Sequence, residues 1–247
     1  GVNWATALLN WAKRKEITIN GASKTATYTD AFGTDGYTDV GTNIGVSGGT
    51  MTCSGATSNA DNRAWKLLGS TLSDTAWVID FDFKYTAVSG TFVHYPLVVT
   101  DLQDVIRNPV NDQMGFVFEL SGSNNVIKIM DSNNTSLAHS AIEYSITADT
   151  QYYIRLIRNN SLKLTMIVYT DSDRTEVINT QTLTLQDAYT GLDTIQHGTA
   201  SGVGGGTATW TIDNLNIYSG ETTVENIPSQ QTSNDVDFTS DPLTSSS

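Results

Sequence analysis

Cysteine is almost absent from this chain of 247 residues, because Cys53 is the only one. A single thiol excludes an intramolecular disulfide and a cysteine-rich metal site, and it leaves the redox compartment open. The three histidines, His94, His139 and His197, are far apart and form no zinc-binding spacing. Gly-x-Ser-x-Gly and the phosphate-binding loop with its Lys-Ser/Thr are also missing. A cofactor-dependent enzyme is therefore not expected.

Positive charge and long apolar runs are scarce as well. Lys and Arg number 13 against 26 Asp and Glu, which gives a formal net charge of −13. Such an acidic surface repels nucleic-acid phosphates and anionic lipids, so neither is an expected partner. No apolar run approaches the roughly 18 residues of a membrane-spanning helix, and no membrane insertion is expected. This composition is typical of an extracellular protein or one at a cell or virion surface.

Strand patterning, by contrast, is abundant, and its clearest instance is the stretch 77–85. Alternate positions in it are large and apolar, and among the positions between them only Val78 is not polar. The period of two predicts a strand with one buried face. Five bulky side chains on one face need an opposing sheet to bury them. The alternating residues are Trp77, Ile79, Phe81, Phe83 and Tyr85.

Further strand-like segments recur about every ten residues, separated by turn residues and without helical periodicity. A Gly- and Thr-rich loop is expected at 41–50 and a longer loop at 101–112. We therefore predict an all-β fold, a single two-sheet antiparallel β-sandwich of the jelly-roll type over residues 16–220. The strands are expected at 16–20, 50–54, 62–68, 77–86, 91–100, 113–120, 126–130, 141–146, 151–158, 162–169, 176–185, 194–197 and 207–218.

The two ends of the chain differ from this pattern. Residues 1–15 place Trp4, Leu8 and Trp11 at helical spacing and end in three basic residues. They form either a short helix that caps one end of the sandwich or a helical or extended arm that docks on an acidic neighbouring subunit. Residues 221–247 form an irregular, acidic tail rich in Ser and Thr, with a composition typical of disorder.

The last predicted strand, 210–218, contains a break in its alternation. Trp210 and Ile212 are in step with each other, whereas Leu215 and Ile217 are one residue out of step. A β-bulge at Asp213-Asn214 would turn all four side chains inward.

This Ile212-Asp-Asn-Leu-x-Ile-Tyr218 ending resembles the closing strand of concanavalin A-like jelly rolls, which include laminin-G-like and carbohydrate-binding-module-type domains. The segments 30–37, 68–77 and 150–156 resemble the same group, so the resemblance covers about residues 25–218. It implies a domain of a microbial or viral surface protein whose first and last strands lie side by side.

The resemblance also implies a structural Ca²⁺ between those two strands. The matching residues are Asp30 and Asp213, with Asp35 as a third candidate ligand. Ca²⁺ takes six to eight oxygen ligands, which an Asp-rich turn and a bulge can supply. The alternative is that these carboxylates accept hydrogen bonds from turn amides.

A glycoside hydrolase on this fold would need two carboxylates that flank a sugar. Asp80 and Asp82 share one face of the strand 77–86 at a tolerable separation. The retaining glucanases that this fold resembles carry Glu-x-Asp-x-x-Glu or Glu-x-Asp-x-Glu there, whereas this strand has Asp80-x-Asp82-x-Lys84. Pairing of Lys84 with Asp82 on a solvated face is the favoured interpretation.

Glycan binding requires less, namely exposed aromatic rings and nearby polar side chains that bond hydroxyl groups. The candidate ligand-binding residues are Trp65, Tyr95, Asp101 and Asp104. We therefore expect a non-catalytic recognition or adhesion module that binds a glycan, with calcium in a structural role. The alternatives are a subunit of a surface filament, sheath or virion, joined to copies of itself through its two ends, and a glycoside hydrolase that uses Asp80 and Asp82.

Overall fold

A computed structural model describes residues 24–58, 60–103, 112–133, 136–159, 162–199 and 204–224 of the chain. The predicted arm at 1–15, the strand at 16–20 and all of the acidic tail beyond Val224 lie outside these residues, as does Asp104. The described residues contain no helix that is long and apolar enough to cross a membrane.

Sixteen strands make up the described fold, and no helix interrupts them. They are β1 (Tyr28–Asp30), β2 (Thr38–Val40), β3 (Ile44–Ser47), β4 (Thr50–Thr57), β5 (Arg63–Leu67), β6 (Ala76–Ser89), β7 (Val93–Thr100), β8 (Gln113–Ser121), β9 (Asn124–Ser132), β10 (Leu137–His139), β11 (Tyr144–Ser145), β12 (Tyr152–Asn159), β13 (Lys163–Tyr169), β14 (Val177–Thr184), β15 (Thr194–Thr199) and β16 (Thr207–Ser219).

The strands form two antiparallel sheets of eight strands each. The first sheet has the order β14-β13-β12-β6-β16-β4-β3, with β1 paired to β16. The second has the order β10-β9-β8-β7-β15-β5-β2, with β11 paired to β9. The predicted two-sheet antiparallel β-sandwich is confirmed.

The strand β6 lies near the middle of the first sheet, between β12 and β16. Its five alternating aromatic and aliphatic side chains all lie in the core between the sheets. Phe83 packs edge-on against Phe116 of the second sheet with 4.9 Å between ring centroids, and Phe81 packs against the same ring at 5.3 Å. Each such side chain contributes about 1.5–3 kcal/mol by leaving water, so this face of β6 is a major source of stability.

The strand β16 contains the predicted bulge. Its register against β6 shifts between Asp213 and Asn216, and Asn214 has a φ of 51°. Asn tolerates this left-handed conformation better than most residues. Trp210, Ile212, Leu215 and Ile217 are all fully buried as a result. The expected pairing of the first and last strands is also confirmed, because β1 lies antiparallel to β16.

Part of the predicted loop at 41–50 is a strand instead. Ile44 to Ser47 pair with β4 as the edge strand β3, with Ile44 buried and Gly45 opposite Thr52. The loop prediction was wrong here because Gly45 and Ser47, which are typical turn residues, alternate with the apolar Ile44 and Val46 as in a strand. The strand expected at 141–146 is only two residues long.

Candidate functional site

The carboxylates of Asp80 and Asp82 lie on the outer face of the first sheet, but they are not solvated. Asp80 is opposite Arg155 on β12, and the Arg155 guanidinium donates to both Asp80 oxygens at 2.7 Å each. Both side chains are 7% exposed. A third Arg155 nitrogen, Nη1, donates to the Val224 carbonyl oxygen at 3.0 Å. Asp80 is therefore held in a bidentate, buried ion pair.

Asp82 is held on both oxygens as well. Arg174, in the loop between β13 and β14, donates to Asp82 Oδ1 at 2.9 Å, and the Asn214 amide donates to Oδ2 at 2.8 Å. Burial raises the pKa of Asp82, while the hydrogen bond from Asn214 and the charge of Arg174 act in the opposite direction. Asn214 reaches Asp82 from the bulge of β16.

The predicted pairing of Asp82 with Lys84 on a solvated face is wrong. The partners of the two carboxylates are arginines, 75 and 92 residues away in the sequence. Arg155 and Arg174 reach them because β12 lies beside β6 and the β13–β14 loop folds over the same face. A pattern within one strand does not contain this information.

The same arginines cover two tyrosine rings. The Arg155 guanidinium carbon lies 6.0 Å from the centroid of Tyr169, and that of Arg174 lies 5.8 Å from the centroid of Tyr153. These are cation–π distances. One face of each of these two rings is therefore covered within the protein, and the cluster connects β6, β12, β16 and the β13–β14 loop.

Hydrolysis of a glycoside requires one carboxyl group free to protonate the leaving oxygen and a second free to act as base or nucleophile. Neither Asp80 nor Asp82 has an oxygen without a donor. This carboxylate pair therefore does not present the geometry of a glycosidase.

The candidate calcium ligands do not form a metal site. Asp30 Oδ1 accepts from the Phe32 amide at 2.8 Å, and Oδ2 accepts from the Lys66 ammonium at 3.0 Å and the Tyr28 hydroxyl at 2.9 Å. Lys66 lies between the rings of Tyr28 and Tyr37, 5.7 and 5.2 Å from their centroids. The cation beside Asp30 is thus a lysine of the chain itself.

The other two candidates have local partners. Asp35 accepts from the Tyr37 amide at 3.1 Å, and Asp213 accepts from the Asn214 amide at 2.7 Å. Within the described residues, no three His, Cys, Asp or Glu side chains are grouped closely enough to hold a metal ion. The residues present do not fit the implied Ca²⁺.

The predicted ligand-binding residues are not brought together. Tyr95 is completely buried in a second apolar cluster with Val98, Val117 and Met130, so its expected exposure was wrong. Trp65 is half-buried on β5, and β15 separates that strand from β7, after which Asp101 follows. Asp101 Oδ1 accepts from the Asp112 amide at 3.1 Å and closes the base of the long loop.

A polar groove of about 350 Å³ lies elsewhere, beside the edge strand β3. Asp39 from β2 of the second sheet forms one side of it, and the outward side chains of β3 and β4 form its floor. Burial and the charge of Asp35 raise the pKa of Asp39. The lining residues are Asp39, Thr42, Asn43, Ile44, Gly45, Val46, Ser47, Thr52 and Ser54.

Sequence reasoning missed this groove because it treated 41–50 as a loop. The available signal was the alternation of Asn43, Gly45 and Ser47 with Ile44 and Val46, which is a strand pattern. The contribution of Asp39 from the opposite sheet could not have been found in this way.

No protein-family model matches the chain, and no curated protein matches it. Solved structures of similar fold do exist. The GH43 protein BlXynB from Bacillus licheniformis superposes with a TM-score of 0.55 at 11% identity, over 79% of this chain and 40% of that one. The chain thus spans less than half of that protein.

Two further structures are matched over most of their length. The CBM2 module of the evolved Dit of Lactobacillus casei BL23 phage J-1 has a TM-score of 0.51 at 9% identity, over 81% of this chain and 97% of that one. The exoplasmic/lumenal domain of VIP36, in its Ca²⁺/Man3GlcNAc-bound form, has a TM-score of 0.50 at 12% identity, over 84% and 94%. At identities this low, the structural similarity to these three proteins shows a shared fold and nothing more.

Proposed function

We propose that this chain is a non-catalytic glycan-recognition module of a secreted or surface-exposed protein. The observation that carries the proposal is the state of Asp80 and Asp82. The resemblance to retaining glucanases offers these two residues as the catalytic candidates, and each of their carboxylate oxygens accepts a hydrogen bond from an arginine or an amide. Asp80 and Asp82 therefore do not supply the free acid and base that hydrolysis needs.

The compared structures support a carbohydrate-related role. They include a GH43 protein, a CBM2 module and a protein with bound Man3GlcNAc. A protein of this fold can therefore either process or bind glycans, and the ion pairs of Asp80 and Asp82 favour binding.

The proposal predicts retention on a glycan without its cleavage. The purified chain should be retarded in native gels that contain soluble xylan, glucan or mannan, for at least one of these polymers, because recognition requires only complementary polar and apolar contacts. Incubation with the same polymers should release no reducing ends above a buffer control.

The decisive control is the variant Asp82→Asn, with its melting temperature measured in parallel. Release of reducing sugar by the unmodified chain, and its loss in a folded Asp82→Asn variant, would contradict the proposal and identify a hydrolase. Normal migration in every gel would contradict glycan recognition.

One observation favours a second candidate, a structural subunit that assembles through its ends. The first and last described segments lie side by side, since Lys24 forms an ion pair with Glu221 and the Ser219 amide donates to Thr27 Oγ1 at 3.1 Å. A basic N-terminal segment and an acidic C-terminal tail would thus leave the sandwich at the same place, where each could reach a neighbouring copy.

Deletion of residues 225–247 tests this candidate and leaves Val224 in place against Arg155. Negative-stain electron microscopy of the full chain should show filaments or rings that are absent from the deleted chain and that dissociate at high salt, because opposite charges attract less strongly when screened. Discrete single particles in both samples would refute assembly through the tail.

A further inference from the structure

A row of residues in cross-strand register leads across the outer face of the first sheet to the groove. Lys84 of β6 is opposite Thr211 of β16, Thr211 is opposite Thr52 of β4, and Thr52 is opposite Gly45 of β3. Neighbouring strands lie about 4.8 Å apart, so the row is about 14 Å long. Thr211 and Thr52 are half-buried and have short side chains. The surface along this row is therefore polar, and no bulky side chain of the row itself projects from it between Lys84 and Gly45.

The groove at the end of the row depends on Gly45. A Cβ atom at this position would lie 2.9 Å from Asp39 Oδ2, closer than such atoms approach in proteins. The absence of a side chain therefore lets the Asp39 carboxylate lie against β3. The Asp39 carboxylate has neither an ion pair nor a hydrogen bond to any described residue, so its oxygens can accept hydrogen bonds from a ligand.

The amide of Asn43 is fixed in orientation on the floor of the groove. Its Nδ2 donates to the Ser54 carbonyl oxygen at 2.9 Å, and the Thr42 hydroxyl lies 3.4 Å from its Oδ1. The hydroxyl groups of Thr52 and Ser54 complete the polar lining. A carboxylate, an oriented amide and several hydroxyls are the groups that bond the hydroxyls of a sugar.

The charges of the groove select among sugars. Asp39 is the only charged side chain among its lining residues, and Asp35 is close enough to raise the pKa of Asp39. A uronate or sialate would be repelled by these carboxylates and would find no arginine or lysine in the lining.

We propose that this groove binds one residue of a neutral glycan, whose chain continues over Thr52 and Thr211 toward Lys84. The inference rests on the proposed glycan-recognition function and assigns that function a place. The volume of about 350 Å³ accommodates a single sugar ring, and the part of the row beyond the groove, from Thr52 to Lys84, is about 10 Å long and has the length of about two further residues.

The test uses the full chain and two variants that disturb the groove in different ways. Asp39→Asn removes the charge and one of the acceptors, and Gly45→Ala keeps the carboxylate but displaces it. Asp149→Asn is the matched control, because Asp149 is exposed and has a φ of 60°, which Asn tolerates. Each protein is titrated calorimetrically with neutral xylo-, gluco- and manno-oligosaccharides of three to six residues and with oligouronates, and its melting temperature is recorded.

We expect the unmodified chain and Asp149→Asn to bind a neutral oligosaccharide with equal affinity, and no oligouronate. Asp39→Asn and Gly45→Ala should each bind that oligosaccharide about tenfold more weakly or worse, since a hydrogen bond to a charged group is lost or displaced. Unchanged affinity in both folded groove variants would overturn the site and leave glycan recognition intact. Failure of the unmodified chain to bind any oligosaccharide would overturn both.

Discussion

Replacement of Arg155 by methionine is expected to lower the free energy of unfolding by about 3–5 kcal/mol, because the variant leaves a buried carboxylate without its counter-ion. Asp80 is 7% exposed and receives both of its short hydrogen bonds from Arg155. The nearest remaining cation is Arg174, whose Nε lies 3.9 Å from Asp80 Oδ1 and which is already bonded to Asp82. Methionine fills much of the volume of the arginine stem, so lost packing contributes little.

Chemical denaturation followed by tryptophan fluorescence measures this effect. The double variant Asp80→Asn/Arg155→Met should recover part of the lost stability, since no buried charge then remains. Lys24→Met is the control, because its partner Glu221 is 40% exposed and surface pairs contribute at most about 1 kcal/mol. A loss below about 1 kcal/mol in Arg155→Met would show that the ion pair is not a main support of the first sheet.

Acid should destabilise the fold well before its ordinary carboxylates are protonated. Burial lowers the pKa of His94 to about 3 and that of His197 to about 4. His94 Nδ1 accepts from the Trp210 indole at 2.9 Å, and His197 Nδ1 donates to the Pro96 carbonyl oxygen at 2.6 Å. A proton added to His197 goes to Nε2, which is buried without a partner, and a proton added to His94 goes to Nδ1, where it displaces the hydrogen bond from Trp210.

The direction of the change in stability with pH follows from the number of protons that the folded and unfolded states bind. In the unfolded chain both histidines bind protons below about pH 6.5, whereas in the folded chain they remain neutral until about pH 4 or lower, so the unfolded state is favoured as pH falls. Each histidine should cost about 1.4 kcal/mol per pH unit below 6.5, which amounts to several kcal/mol by pH 4. Unfolding free energies measured between pH 7.5 and 4 should show this slope.

Two substitutions measure how much His94 and His197 each contribute to the pH dependence of the unfolding free energy. His94→Gln can still accept from Trp210 but does not titrate, and His197→Gln can still donate to the Pro96 carbonyl. Each should be less stable than the unmodified chain at pH 7.5 and should lose roughly half of the pH dependence. An unaltered slope in both of the buried-histidine variants would assign the acid sensitivity to other groups.

The sequence was sufficient to predict the architecture because the strongest signals are local. The alternation along β6 and the phase break in β16 each lie within about ten residues, and each predicted correctly which side chains face the core. That the first and last strands lie side by side came from the family resemblance, and β1 does pair with β16.

The site could not be predicted because its parts are distant in sequence. Arg155 and Arg174 meet Asp80 and Asp82 only after the sheet has formed, and Asp39 reaches Gly45 from the opposite sheet. Charge alternation along one strand identifies an outward side chain, but it does not identify the partner that covers it.

Tyr95 illustrates a second limit. The register between β7 and β8 shifts between His94 and Leu97, and residues on both faces of β7 are buried, Leu97 on the inner side and Tyr95 on the outer side. A period of two separates the faces of a strand but does not show that both are covered.

The pairing of β1 with β16 has a consequence for how the fold can be rearranged. Thr27 N donates to the Ile217 carbonyl oxygen at 2.7 Å, so the two ends of the described part of the chain lie side by side. A short linker could join these two points, and new ends could be opened in the exposed β6–β7 or β8–β9 turn without breaking a sheet. By the same geometry, the sandwich could be carried inside a surface loop of a larger host domain, as an insertion that leaves the fold of the host undisturbed.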